Sequence, residues 1–369
     1  MRFHNNQLDL LQHLAKFNLL DYLDCLELLD TDGTGDRAAL SYAFRPLTKN
    51  GYVSKRKDGC VSILAKGRAL FPDTEPLIST GGGAAERRRV MEVSRVAAWM
   101  EQSGIPCYGE LQDSDEPYFI PSACWRKIAL GILSTTRFTG MLLAGKHRLA
   151  VYDIGDGRME WQVRAEGSLF YTRYGSYEMK ATGMLLICRE DARDKAGESI
   201  IRHTMWSRRQ NAKHSGAERN KPVAWSRSPI KLKARYEHAY LTTPRRLAES
   251  LQRIWEEDEF IEEMMENGSR LRDPAQGDIE LWPRRLFVNP ACDLLKFFYF
   301  YAAVKAYRQM QAGMAGYHPN QLNYELHIYP EDDTLAHLYQ DVEKMEEAMI
   351  YHYRPDEDGG DDQTAAGDG

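Results

Sequence analysis

RAALSYAFRPLTKNGYVSKRKDGCVSILAKGRALF, residues 37–71, decides how the N-terminal part of the chain is read. Its first half places Leu40, Ala43, Phe44 and Leu47 at helical spacing, and Asp36 stands where a helix N-cap belongs. Gly51 follows as the glycine that ends a helix. Two β-prone runs, YVSKRK and CVSIL, flank Asp58-Gly59, a pair that favours a tight hairpin turn. Pro46 lies inside the helical stretch. It lacks a backbone N–H and crowds the carbonyl four residues back, so a bend or an early end near Arg45 is expected.

Two more helices are expected upstream. Asn5 or Asn6 is placed to cap the first, with Leu8, Leu11 and Ala15 on one face. Asn18 is placed to cap the second, with Leu19, Leu23 and Leu26 inward and Asp21, Asp24 and Glu27 outward. The segment DTDGTG at 30–35 then breaks the chain. Asp30, Asp32 and Thr34 are spaced like calcium-loop ligands, but Ser41 stands where a bidentate Glu is needed, so a turn feeding an N-cap accounts for the segment.

Three helices followed by a hairpin and the closing Ala-Lys-Gly-Arg-Ala-Leu resemble a winged helix-turn-helix DNA-binding domain over residues 5–71. That resemblance implies a third helix in the major groove and a wing along the backbone or the adjacent minor groove. The outward residues of the helix are Arg37, Ser41, Tyr42, Arg45 and Lys49. Arg37 and Arg45 suit bidentate contact with guanine, whereas Ser41 and Lys49 suit phosphates. Lys55, Arg56 and Lys57 would add salt-sensitive, sequence-independent attraction from the wing. The first 80 residues hold ten Lys/Arg and ten Asp/Glu, so the placement of charge carries this expectation and a protein partner is the alternative.

Residues 72–87, PDTEPLISTGGGAAER, read as a Gly-rich flexible linker; the glycines lack the Gly-Lys-Ser/Thr ending of a phosphate loop. An α/β domain is expected over 88–250, opening with a helix and continuing with strands near 117–123, 139–145, 148–155, 180–190 and 238–244. It carries a basic insertion at about 202–235. The wider stretch 202–246 holds twelve Lys/Arg against Glu218 and Glu237, interleaved with Trp206, Trp225, Tyr236 and Tyr240. Such a mixture suits flexible nucleic acid, because bases stack on aromatics while cations track phosphate. Residues 251–350 are expected to be mainly helical, with helices at 293–312 and 331–350, and 355–369 to be a disordered acidic tail. The fold class is α+β.

The net charge of −6 is uneven: residues 331–369 hold thirteen Asp/Glu against Lys344 and Arg354. Six scattered cysteines with no Cys-x-x-Cys pair suggest reduced thiols and a cytoplasmic protein. The most hydrophobic window, at 293–310, is interrupted by Lys296 and Lys305, short of the roughly 20 apolar residues that a membrane span needs. No membrane partner and no cofactor are expected.

One enzymatic alternative has residues to test. Restriction-endonuclease-like sites hold a metal between an Asp and a Glu-x-Lys on neighbouring strands. Glu178-Met179-Lys180 has that form and Asp153 ends an earlier strand, but Ile120-Pro121-Ser122 carries a hydroxyl where the motif needs a carboxylate. The larger domain is therefore expected to be at most a degenerate sandwich of that kind, and catalysis is not favoured. His327 and His337 flank an acidic loop without metal-ligand spacing.

The order of winged helix, linker and α/β domain resembles the replication-relaxation type of proteins of plasmids and conjugative elements. The resemblance implies a DNA-binding accessory or regulatory protein in replication or mobilisation, with double-stranded DNA and a relaxase or replication protein as partners. A metal-dependent nuclease and a protein-interaction scaffold are the alternatives.

Overall fold

A computed structural model of the chain describes residues 3–30, 35–79, 83–128, 137–145, 147–155, 181–200, 238–265, 268–272, 276–313, 322–336 and 348–353. Glu178, Lys180, the basic insertion at about 202–235, His337 and the acidic tail lie outside the described residues. The fold is mixed α+β. Two compact units divide it: Met1–Glu190 with Thr243–Ala248, and Asp191–Thr242 with Glu249–Gly369.

The first unit begins with α1 (Asn5–Phe17), β1 (Leu19–Asp21), α2 (Tyr22–Leu29), α3 (Arg37–Lys49), β2 (Val53–Lys55), β3 (Cys60–Ile63) and α4 (Ala65–Arg68). The three strands form one antiparallel sheet in the order β1-β3-β2. Leu10, Leu11, Leu14, Leu26, Phe44, Leu47, Val53 and Val61 are buried in a common core. Each contributes about 1.5–3 kcal/mol by leaving water.

Several capping expectations are corrected. His4 caps α1 through a reciprocal pair with Gln7. Asn18 ends α1 at φ 66° instead of starting α2, because Leu19 and Asp21 pair with Ser62 and Cys60 across the sheet. The cap of α2 is Asp21, whose carboxylate accepts from the Leu23 amide at 2.8 Å. The buried face of α2 is made by Cys25, Leu26 and Leu29, while Leu23, expected inward, is 50% exposed. Helix α3 runs through Pro46 to Lys49 without ending at Arg45. The bond Pro46 cannot donate would have gone to the carbonyl of Tyr42, on the exposed side of the helix, where water can serve it.

Within the stretch expected as a flexible linker at 72–87, residues 80–82 lie outside the described residues, and the segment just before them is docked. The Leu77 amide donates to the Lys16 carbonyl at 2.7 Å, the Asn18 side chain donates to the Ile78 carbonyl, and Ile78 is buried. Helix α5 (Ala84–Gln102) already contains the last four residues of that stretch. Beyond it, β4 (Tyr118–Pro121), α6 (Ser122–Ile128), β5 (Gly140–Ala144), β6 (His147–Gly155) and β7 (Gly183–Cys188) follow. β4, β5 and β6 pair antiparallel, and β7 joins β6 in parallel.

The second unit holds α7 (Arg193–Ile200), β8 (His238–Thr242), most of α8 (Leu247–Trp255) and α9 (Glu257–Glu263). A sheet follows from β9 (Ser269–Arg270), β10 (Ile279–Leu281), β11 (Arg284–Asn289), β12 (Asn323–Ile328) and β13 (Ala348–His352). β9 to β11 form an antiparallel meander; α10 (Leu294–Gly313) then leads to β12, which lies parallel to β11, as β13 does to β12. Of the stretch expected to be mainly helical, residues 266–267, 273–275, 314–321 and 337–347 lie outside the described residues, and the described remainder combines these helices with strands. Of 331–350, where a helix is expected, residues 337–347 lie outside the described residues; α11 (Asp333–Ala336) is helical, while Ala348–His352 pairs in parallel with β12. The six cysteines are buried thiols. Among the described residues no helix is long and apolar enough to cross a membrane.

Candidate nucleic-acid interface

Helix α3 is anchored from below by Phe44 and Leu47 and capped by Asp36, whose carboxylate accepts from the Ala38 and Ala39 amides at 3.0 and 3.3 Å. With those positions inward, Arg37, Ser41, Tyr42, Arg45 and Lys49 are exposed, and Tyr42 is 76% exposed. A large aromatic left in water on a regular helix has no packing role there.

The hairpin turns one residue earlier than Asp58-Gly59 alone suggests. The Gly59 amide donates to the Arg56 carbonyl, and the Arg56 amide donates to the Cys60 carbonyl at 2.8 Å. Lys57 and Asp58 are therefore the central residues, and Gly59 takes φ 84°, which a side chain would strain. Lys55, Arg56 and Lys57 are all exposed.

Tyr22 ties these two elements together. Its hydroxyl donates to Ser41 Oγ at 3.0 Å, its ring meets Phe44 edge-on at 5.1 Å, and Lys55 Nζ lies 3.0 Å from its centroid. Its amide also donates to the Gly59 carbonyl at 3.0 Å. Ser41 on the helix and Lys55 on the hairpin are thus held by one side chain. Among the described residues, no ion pair engages Arg37, Arg45, Lys49, Arg56 or Lys57.

Other cations are already committed. Arg68 donates to the Ala15 carbonyl at 3.0 Å and to the Asn18 side chain, closing α4 onto the end of α1. Arg95, on α5, holds Asp153 through two nitrogens and lies 3.8 Å from Asp24 on α2. Burial pushes the Asp24 carboxyl up to about 7 despite the opposing Arg95 charge. Asp153, offered as a metal ligand by the sequence, also accepts the Gly155 amide at 3.0 Å. Its carboxylate serves the junction of α2, α5 and β6, while Glu178 and Lys180 lie outside the described residues.

A second junction lies between α1 and α5. His13 touches Ser94 Oγ at 3.0 Å and Glu101 at 2.8 Å, and Lys16 reaches the other Glu101 oxygen at 2.5 Å. Burial raises the Glu101 carboxyl, but His13 and Lys16 outweigh it and hold the group below the usual range. Tyr22, Arg68, Arg95 and His13 were not singled out by sequence reasoning, since each acts through partners distant in the chain.

Among the described residues, no three His, Cys, Asp or Glu side chains gather as metal ligands. Comparison with family models, with curated proteins and with solved structures found no match to this chain.

Proposed function

We propose that residues 5–71 are a winged helix-turn-helix module that binds double-stranded DNA through α3 and the β2–β3 wing. The observation that carries this reading is the coupling of Ser41 and Lys55 through Tyr22, which holds the helix and the wing together beside cations without ion pairs among the described residues. On this reading Arg37, Tyr42 and Arg45 meet base edges, Ser41 and Lys49 fix register on phosphates, and Lys55, Arg56 and Lys57 follow the backbone. The chain then acts as a cytoplasmic DNA-binding accessory or regulatory protein of a plasmid or conjugative element, beside a relaxase or replication protein. The element order three helices–hairpin supports this reading, as does the docking of α5 against α1 and α2, which gives the module a firm base.

Fluorescence anisotropy of labelled duplex DNA at two salt concentrations tests the proposal. Binding that weakens steeply with salt is expected. An absence of salt-dependent binding to any duplex overturns it and leaves the protein-contacting alternative.

A further inference from the structure

Arg245 lies far from residues 5–71 in the sequence, yet its turn is pinned to the elements that carry α3. The short 3₁₀ turn Pro244–Arg246 belongs to the first unit. Arg245 is one of the last two cations of the basic stretch 202–246, and it is exposed. Among the described residues no ion pair engages its guanidinium. A chain of contacts that starts at α2 holds the turn. Asp24 lies 3.8 Å from Arg95, Arg95 holds Asp153 near the end of β6, and Asp153 accepts the Gly155 amide at 3.0 Å. The Gly155 carbonyl then accepts the Arg189 amide at 2.8 Å, and the neighbouring Glu190 carboxylate accepts the Arg245 amide at 3.3 Å.

Glu27 shows which end of α3 this turn approaches. It follows Asp24 on α2 by about one helical turn. Desolvation raises its carboxyl, while the charges of Arg95, Arg245 and Arg37 oppose that rise. Arg95 is committed to Asp153 and Asp24, so Arg37 and Arg245 are the two cations beside Glu27 that no ion pair engages among the described residues. At its other end α2 meets Ser41, Phe44 and Lys55 through Tyr22, roughly 7.5 Å away along the helix axis. The wing and Arg245 therefore reach α3 at different points of its length, the wing beside Ser41 and Arg245 beside Arg37.

We infer that Arg245 is a phosphate contact of the α3 interface, gripping the duplex backbone at the Arg37 end of the helix while the wing grips it beside Ser41. This assignment rests on the DNA-binding reading of residues 5–71 and extends the contact surface beyond that module. A guanidinium suits the part, since its planar fork matches phosphate oxygens in pairs. Such a contact sets register and affinity without reading sequence. Glu27 works against it, because an acid beside both arginines repels the same phosphates.

The test titrates a fluorescently labelled duplex of mixed sequence with the full chain over a range of salt concentrations. Arg245→Ala is expected to weaken binding several-fold at low salt and to flatten the dependence of log affinity on log salt by about one unit, the loss of one phosphate contact. Arg245→Lys keeps the charge and should keep the slope. Glu27→Gln should tighten binding at low salt. Adding Arg245→Ala to alanines at Lys55, Arg56 and Lys57 should flatten the slope further, because the two groups neutralise different phosphates. A wild-type affinity and slope in Arg245→Ala overturn the assignment and leave the reading of α3 and the wing intact. Equal losses in Arg245→Ala and Arg245→Lys also overturn it, since they mark a role in the fold, as does weaker binding by Glu27→Gln. No salt-dependent binding by wild type overturns the DNA-binding reading and this assignment with it.

Discussion

Lys55 Nζ lies 3.0 Å from the centroid of the Tyr22 ring, so the ammonium of the hairpin rests on the first residue of α2. The same ring bonds Ser41 through its hydroxyl, which separates two contributions that mutagenesis can read independently. Tyr22→Phe keeps the aromatic face and the edge contact with Phe44 while freeing Ser41. Tyr22→Leu removes both contributions. The bond to Ser41 is exposed, so Tyr22→Phe should cost roughly 0.5 kcal/mol of stability, at the low end for a hydrogen bond. Tyr22→Leu should cost more, since it also removes the cation–π and aromatic interactions. Urea denaturation checks the order. A larger loss for Tyr22→Phe than for Tyr22→Leu would contradict it.

Under the proposed function, the helix and the wing should fail differently. Arg45→Ala and Arg37→Ala should each weaken binding to the preferred sequence by roughly 1–3 kcal/mol and relax discrimination at one position. Replacing Lys55, Arg56 and Lys57 together by Ala should weaken binding to every duplex alike and flatten the dependence of log affinity on log salt, by about one unit for each phosphate no longer neutralised. Competition titrations across salt concentrations measure both effects. Identical profiles for helix and wing variants would remove the assigned division of labour.

The parts of this fold that are legible in the sequence are those set by local chemistry. Asp36 caps α3 as its position suggests, and Phe44 and Leu47 point inward because helical spacing puts them together. The exposure of Arg37, Tyr42 and Arg45 follows from that same face. Asn18 departs from its expected role because its surroundings are non-local: pairing between Leu19 and Ser62 removes β1 from the helix that local propensity favours. Pro46 departs from expectation in the other direction, since an exposed carbonyl tolerates the missing donor. The buried ion pairs of Lys296 have no sequence signature, because Glu257 and Asp278 reach the lysine from positions 39 and 18 residues away.

Asp24 gives a pH dependence whose sign can be stated. Burial raises its folded pKa to about 7 from an ordinary 3.8, so between those values the folded chain holds a proton that the unfolded chain releases. The groups facing it are Arg95 from α5, Asp153 from β6, and Asp21 and Glu27 from its own neighbourhood. Its contribution to stability is thus most favourable below about pH 4 and declines as pH rises towards about 7, beyond which it is flat. Asp24→Asn cannot titrate. The stability of wild type relative to Asp24→Asn should fall across that window by an amount on the order of a few kcal/mol at most. Chemical denaturation at several pH values measures it, and a difference that rises with pH would contradict the assignment.

Gly67 closes the hairpin because only a residue without a side chain fits beneath it. A Cβ there would lie 2.5 Å from the Tyr52 carbonyl and 2.9 Å from Ile63 Cγ1, and the nearer atom is backbone that cannot rotate away. The glycine thereby lets α4 approach the base of β2 and β3, where the Leu64 amide donates to the same Tyr52 carbonyl at 2.9 Å. The next residue, Arg68, then reaches the Ala15 carbonyl and Asn18 at the end of α1. Gly67→Ala should therefore destabilise the chain by about 1–3 kcal/mol through overpacking, despite alanine's better helix propensity. If the resulting shift of α4 also pulls Arg68 from its acceptors, Gly67→Ala and Arg68→Ala should combine to less than the sum of their separate costs. A double-mutant cycle by urea denaturation reads this coupling. Full additivity would mean that α4 yields to the new methyl group without disturbing Arg68.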